Sequence, residues 1–160
     1  MFQVSRRVDY ALRIMIVLGN RARGVSMTAQ EICRKTDVPK PFLHKITADL
    51  IRAGLMNSQA GPSGGLSLAK PGEAITLRQI VEAVEGPICV NVCLTRPHEC
   101  PRDRACPSHG FWGRLQQSLV GQLESVSVAD LVAEGRQLNK QPRQEAIPYL
   151  FPIQSVGVQA

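Results

Sequence analysis

The sequence predicts a mainly α-helical fold carrying one small β-hairpin, and three observations predict it. Two capping-box spacings, Thr28-x-x-Glu31 and Thr76-x-x-Gln79, mark helix starts, because the first and fourth residues of such a box satisfy each other's free backbone N–H groups. The run Gly61-Pro-Ser-Gly-Gly65 separates two short segments, Leu55 to Ala60 and Leu66 to Lys70, as a glycine turn separates hairpin strands. Trp112, Leu115, Leu119 and Leu123 recur at helical spacing in a narrow, nearly heptad seam, which suits a partner helix better than a broad core.

The remaining elements fall into place around these. A first helix runs from about Ser5 to Leu18, with Val8, Ala11, Leu12, Met15 and Leu18 on one face and Gly19 closing it. The helix opened at Thr28 is short, with Ala29, Ile32 and Cys33 on its apolar side, and Thr36-Asp-Val-Pro39 is a turn by composition. A third helix follows from about Pro41 to Ala53, ended by Gly54. Phe42, Leu43, Ile46, Leu50 and Ala53 share its packed side, while Lys40, Pro41, His44, Lys45, Ala48 and Arg52 share the other. Leu77, Ile80, Val81 and Val84 stripe the helix opened at Thr76, and Ser127-Val-Ala-Asp130 opens a last short one.

Three short helices, a turn before the third and then a hairpin is the order of a winged helix-turn-helix. The third helix is then the recognition helix, with His44 and Lys45 reaching toward base edges and Lys40, Pro41 and Arg52 beside them. The glycine turn (Gly61, Ser63, Gly64) and Lys70 at the base of the hairpin are placed to follow the minor groove or the backbone. The plain alternative for each of these residues is a solvated helix surface, since phosphate contacts and solvent exposure look alike in sequence.

Composition agrees with this and narrows the class. The chain is 160 residues and 44% hydrophobic, enough for one domain with an arm, and only 4% aromatic, so its core is aliphatic. Lys and Arg outnumber Asp and Glu by 19 to 13, a net charge of +6, which favours double-stranded DNA ahead of an anionic membrane. The basic, apolar N-terminus is interrupted by Asp9, Tyr10 and Arg13 and offers no small-residue cleavage site, so a cytoplasmic protein is expected. No segment approaches the roughly 20 apolar residues that span a bilayer. Nothing resembles a substrate pocket, a nucleophile with a base or a phosphate loop, so neither an enzyme nor a small-molecule substrate is expected.

The segment Ile88-CVNVCLTRPHECPRDRACPSHGF-Trp112 holds four of the five cysteines and two of the three histidines, spaced C-x3-C-x6-C-x5-C-x2-H. Pro97, Pro101 and Pro107 break it, and no hydrophobic period runs through it. Where thiols stay reduced, such a cluster indicates metal or redox chemistry before disulfides. Three cysteines and a histidine make a tetrahedral zinc set, and soft thiolates equally suit iron–sulfur chemistry. Spacing leaves both open.

Ser5-Arg-Arg-Val-Asp-Tyr-Ala-Leu-Arg13, Arg52-Ala-Gly-Leu55, Gly61-Pro-Ser-Gly-Gly65, Ile75-Thr-Leu-Arg-Gln-Ile-Val-Glu-Ala-Val-Glu-Gly86 and the cysteine segment together resemble the bacterial winged-helix regulators of the IscR, NsrR and RirA type. The resemblance covers about residues 1 to 135. It implies a homodimeric transcriptional regulator, a repressor in the first instance, with the long helix after the cysteine loop as its dimer interface. It also implies an iron–sulfur cluster on Cys93, Cys100 and Cys106, with His109 as the fourth ligand or, as in nitric-oxide-sensing members, Asp9 from the other subunit. A histidine ligand favours a 2Fe–2S cluster and an oxygen ligand a 4Fe–4S cluster, by the same analogy. Family members commonly carry an arginine just before the glycine turn; here that position is Ala60. DNA sequence preference therefore does not carry over.

Cys89 and Cys33 lie outside the matched triad and are expected as small buried thiols, and His98 as an exposed loop residue. The Pro101 and Pro107 that follow two of the ligands are expected to keep helix from starting too early. The expected organisation is a winged helix-turn-helix domain over 1–86, a cluster loop over 87–110, a dimerisation helix with a short following helix over 111–135, and a mobile tail over 136–160. Ile147 to Ile153 is apolar enough to dock. Cluster control of operator binding is the expected function; a zinc-stabilised or thiol-based regulator, and a small iron–sulfur redox protein, are the alternatives.

Overall fold

Ser5 caps the first helix by accepting from the Val8 amide, and α1 then runs Arg6–Gly19. The computed structural model describes residues 4–61, 64–102 and 105–140. Helices α2 (Ala29–Thr36) and α3 (Lys40–Arg52) follow, then strands β1 (Met56–Gln59) and β2 (Gly65–Leu68), α4 (Leu77–Glu85), α5 (Pro107–Ser125) and α6 (Val128–Leu138). Three short 3-10 turns, Gly72–Ala74, Val92–Leu94 and Pro97–Glu99, punctuate the connections. The expected tail lies largely outside the described residues, as do Pro62 and Ser63 of the glycine turn.

Both sequence-read capping boxes form, at Thr28/Glu31 and Thr76/Gln79, and Ser127/Asp130 forms a third. Gly54 takes φ +68 and ends α3 in a Schellman arrangement. The Leu55 amide donates to Leu50 O at 2.9 Å and the Gly54 amide to Ile51 O at 2.9 Å, with Leu50 and Leu55 both buried. The strands pair antiparallel from Met56 opposite Leu68 to Gln59 opposite Gly65, shorter than the sequence pattern. Met27 adds a bridge to Leu66, which ties the hairpin to the segment before α2.

The core surrounds α1. Val8, Ala11, Ile14, Met15 and Leu18 are buried, and α1 packs against α2, α3, α4, α6 and β2. One apolar face was expected; Ile14 lies outside it and is buried because partners cover α1 on several sides. The last of these partners arrives late in the chain. Thr76 pairs with Ser127, the Leu77 amide donates to Val126 O and the Val128 amide to Ile75 O, each at 2.9 Å. This bridge swings α6 back so that Val128 and Val132 complete the core beside α1.

Gly19 serves that approach. It is the last helical residue of α1, as the sequence places it, and Asn20 follows in ordinary helical geometry, so the close needs no left-handed residue. A Cβ placed on it would sit 2.9 Å from Val128 Cγ1 and 3.1 Å from Val132 Cγ2. Gly19→Val is therefore expected to overpack the α1–α6 contact and destabilise the fold by about 1–3 kcal/mol, read from urea unfolding.

The capping boxes also set an acid limit. Glu31 accepts from the Thr28 amide at 3.0 Å and its hydroxyl at 3.1 Å, and these bonds hold its carboxyl below the ordinary value of 4.5. Asp130 accepts from the Ser127 hydroxyl at 2.6 Å and amide at 2.8 Å, which hold it below 3.8. A carboxyl lowered on folding contributes fully above its unfolded value and loses that contribution as pH falls through the folded one. Urea midpoints are expected to be flat down to the ordinary carboxylate range and to drop below it. The Glu31→Gln/Asp130→Asn variant should drop less steeply, and an unchanged slope would assign the acid limit to other groups.

Candidate nucleic-acid interface and cysteine loop

The turn into α3 is made by Asp37 at φ 56, the positive-φ non-glycine among the described residues, with Val38 buried beneath it. Leu43, Ile46, Thr47 and Leu50 are buried under α3, which leaves Lys40, Pro41, His44, Lys45 and Ala48 together on its exposed side. Thr47 fills a core position that apolar counting passes over. Its hydroxyl donates to Leu43 O at 2.8 Å, so burial leaves it satisfied; the signal was its i+4 spacing from Leu43. Two residues expected on the packed side are not there. Phe42 is 43% exposed and meets Tyr10 edge-on at 5.6 Å, and Ala53 is the exposed C-cap.

No side chain caps the N-terminus of α3, which begins Pro39-Lys40-Pro41; the prolines have no N–H to satisfy, the Phe42 amide donates to Pro39 O at 2.9 Å, and Lys40 places a cation at the positive end. At its other end Arg52 pairs with Asp49 at 2.8 Å. Asp49 is held as well by Arg7 of α1 at 2.8 Å, and Arg7 lies 3.8 Å from Glu85, the last residue of α4. Arg7 and Asp49 carry no sequence signal, being 42 positions apart.

In the wing, Gly61 has φ +112, and a Cβ on Gly64 would run into Gln59 O, so both positions require glycine. Ala60 is exposed, and Ser63 lies outside the described residues. Lys70 lines a cleft of about 390 Å³ at the base of the wing together with Arg21, Arg23 and Glu73.

The cysteine segment links α4 to α5 with short turns. Cys93 lies in the turn Val92–Leu94, its amide donating to Asn91 Oδ1 at 3.3 Å, and Cys100 ends the turn Pro97–Glu99. Cys106 is the N-cap of α5, and the His109 amide donates back to Cys106 O at 3.2 Å. All four residues are half-buried, and His109 Nδ1 is shielded from solvent. Among the described residues no three Cys, His, Asp or Glu side chains converge closely enough to hold a metal ion. The donor set nonetheless fits a soft metal group: three thiols and an imidazole on one loop. The Val90 amide reaches out of the loop and donates to Gln116 Oε1 of α5 at 3.1 Å.

Two expectations change. Pro107 does not delay α5 but opens it, because proline at the first turn loses no intrahelical bond. The helix therefore starts four residues before 111 and takes His109 into its first turn. Cys89 is exposed, its Sγ 3.1 Å from Asn91 O; its apolar neighbours Ile88 and Val90 do not carry it inward. Asp9 sits in the first turn of α1 with both oxygens gripped by Arg13, at 2.9 and 3.3 Å, and Arg6 at 3.8 Å. Cys33 packs against the core as expected but is half-buried, not buried, and His98 is exposed as expected.

Helix α5 has no buried residue. Leu115 is 39% and Leu119 42% exposed, Phe111 is exposed, and Trp112 and Leu123 are half-buried. Arg78 of α4 clamps it through Glu124 at 2.9 Å and holds Glu82 at 3.1 Å, the two carboxylates raising its own pKa.

No helix among the described residues is long and apolar enough to cross a membrane. Residues 4–134 match the model of the Rrf2 family, described as iron-dependent transcriptional regulators. An rrf2-like HTH-type transcriptional regulator of Rhodobacter capsulatus is 30% identical over 140 residues, 82% of this chain and 93% of its own. An HTH-type transcriptional regulator of Aquifex aeolicus is 34% identical over 131 residues, covering 80% and 90%. Among solved structures, IscR of T. potens superposes with TM-score 0.68 at 22% identity over 90% of this chain and 94% of its own. CymR, the global cysteine regulator of B. subtilis, gives 0.66 at 24% identity over 84% and 98%. These likenesses confirm a winged-helix fold with the predicted mainly helical class, and the chain belongs to the Rrf2 family of DNA-binding transcriptional regulators.

Proposed function

We propose that this regulator binds its operator as a homodimer and that an iron–sulfur cluster on the loop between α4 and α5 controls the affinity. The observation that carries the reading is the half-buried set Cys93, Cys100, Cys106 and His109 on a loop tied to α5. His109 is the preferred fourth ligand, and a 2Fe–2S cluster the preferred group. Asp9, already paired with Arg13 and Arg6, is the alternative, with a 4Fe–4S cluster. When bound, such a group supplies ligation sensitive to iron, oxidants or nitric oxide.

The protein's own residues do the rest. Lys40, Pro41, His44 and Lys45 enter the major groove; Arg52, Lys70 and the Gly61–Gly64 turn follow phosphates or the minor groove. The exposed face of α5, Trp112, Leu115, Leu119 and Leu123, packs on a second copy. Pairing through it sets the separation of two recognition helices, which must be about 34 Å to read successive major grooves. Gln116 holds the Val90 amide, so the loop and the dimer helix shift together. The reading favours repression of iron, cluster-assembly or stress genes.

Anaerobically purified protein is expected to contain iron and acid-labile sulfide, lost in Cys93→Ala, Cys100→Ala and Cys106→Ala and kept in Cys89→Ala and Cys33→Ala. Colourless protein holding zinc through reconstitution selects the zinc-stabilised reading, and metal-free protein whose DNA binding follows thiol oxidation selects the thiol switch. Equal affinity of apo and loaded protein for one duplex would remove cluster control. Lys45→Ala should weaken duplex binding and lower the salt slope by about one. Leu115→Glu/Leu119→Glu should sediment as a monomer if α5 is the interface.

A further inference from the structure

Asp49 stands on the flank of α3, its side chain only 19% exposed, and its two oxygens are divided between two arginines. Oδ2 accepts from Arg7 at 2.8 Å and Oδ1 from Arg52 at 2.8 Å. Arg7 comes from the first turn of α1, and the second carboxylate near it, Glu85 at 3.8 Å, takes a hydrogen bond from Ser5 Oγ at 2.8 Å. Arg52 has its side chain 76% exposed at the end of the recognition helix.

The division matters because a half-buried carboxylate draws in whatever cationic partners lie within reach. While Arg7 holds one oxygen, Arg52 is engaged through a single N–H, and its remaining donors face solvent. Without Arg7 both oxygens are open to Arg52. A bidentate arginine–carboxylate pair is the stronger geometry, and it would draw the guanidinium back along the helix. Asp49 would then also bring an under-compensated negative charge toward the phosphate backbone.

We propose that Arg7 is a positioning residue for DNA binding: it neutralises Asp49 so that Arg52 is left to contact a phosphate. The proposal rests on α3 being the helix that reads DNA, and the test separates the two.

The probe is a duplex of about 40 base pairs, long enough for two half-sites one helical turn apart, selected by the wild-type protein from a random pool. Binding is measured by fluorescence anisotropy across a salt series, with thermal unfolding alongside. Arg7→Gln is expected to weaken binding about tenfold and to flatten the salt slope by about one counterion, because one phosphate contact is lost. Adding Asp49→Asn should restore both affinity and slope, Arg7→Lys should retain most of both, and Arg7→Gln should cost nothing further on an Arg52→Gln background. A general loss of structure would lower affinity without that pattern.

Full affinity in Arg7→Gln, no rescue by Asp49→Asn, or an equal loss on the Arg52→Gln background would each overturn the assignment. Should Arg7→Gln not fold, Asp49→Asn alone decides: it must bind at least as tightly as wild type with an undiminished slope. Failure of the wild type to select any duplex sinks the reading of α3 itself, a separate result.

Discussion

Ile14 and Met15 occupy neighbouring faces of one helix and neither meets water, which obliges the rest of the unit to wrap around α1. A helix apolar over so much of its circumference is stable only as a buried element, and α2, α3, α4 and α6 each cover part of it. Ala11 and Gly19 keep the helix narrow where neighbours press closest. The consequence is positional. Helix α3, the helix that enters the cysteine loop and the helix that follows α5 are all referenced to the same central rod. Interiors at native packing density do not deform smoothly, so a push on one neighbour is met by the others.

Helix α5 obeys a different constraint. Its 19 residues, roughly 28 Å at 1.5 Å rise per residue, contribute nothing to that core. It is held at its C-terminal end by the Arg78–Glu124 pair and the Thr76–Ser127 bridge, and further up by Gln116 on Val90. A helix fastened at such points leaves Leu115 and Leu119 exposed, an apolar stripe that burial against another surface would stabilise. The cysteine loop lies between this strut and α4, so any group that draws its turns together acts on two helices already fixed elsewhere.

The elements that sequence made legible are those whose cause is local. Thr28, Thr76 and Ser127 form their capping boxes because each acts within four residues, and Gly54 stops α3 because only its own φ is at issue. What escaped has distant causes. Gly19 reads as a helix stop, yet its reason for being glycine is Val128, more than a hundred residues on. Phe42 counts as core by spacing but lies at an edge where α1 offers only Tyr10. Cys89 has apolar neighbours in sequence and no layer to cover it in space. The Arg7–Asp49–Arg52 group is invisible to any window, and at the cysteine loop the residue types were readable while their separation in space was not.

Capping itself separates the helices by duty. Helices α1, α2, α4 and α6 each begin on a serine or threonine whose side chain accepts a backbone N–H. Helices α3 and α5 have no side-chain cap, starting on Pro39 and Cys106, and these are the two helices at the candidate sites. A lost cap costs about 0.5–2 kcal/mol, and Lys40 at the positive end of α3 adds to it. The core offsets this cost for α3 through Leu43, Ile46 and Leu50, all fully buried, and through the Schellman closure at Gly54. At its start Pro39 and Pro41 have no N–H and the Phe42 amide donates to Pro39 O, so what Lys40 offers a phosphate there is its cation at the positive end of the helix. At α5 the capping position holds a thiol, a poor acceptor for the helix and a good ligand for a soft metal. At these two helix starts the Ser or Thr cap is replaced by a proline start that carries a cation in α3 and a thiol in α5, groups that suit an anion and a soft metal respectively.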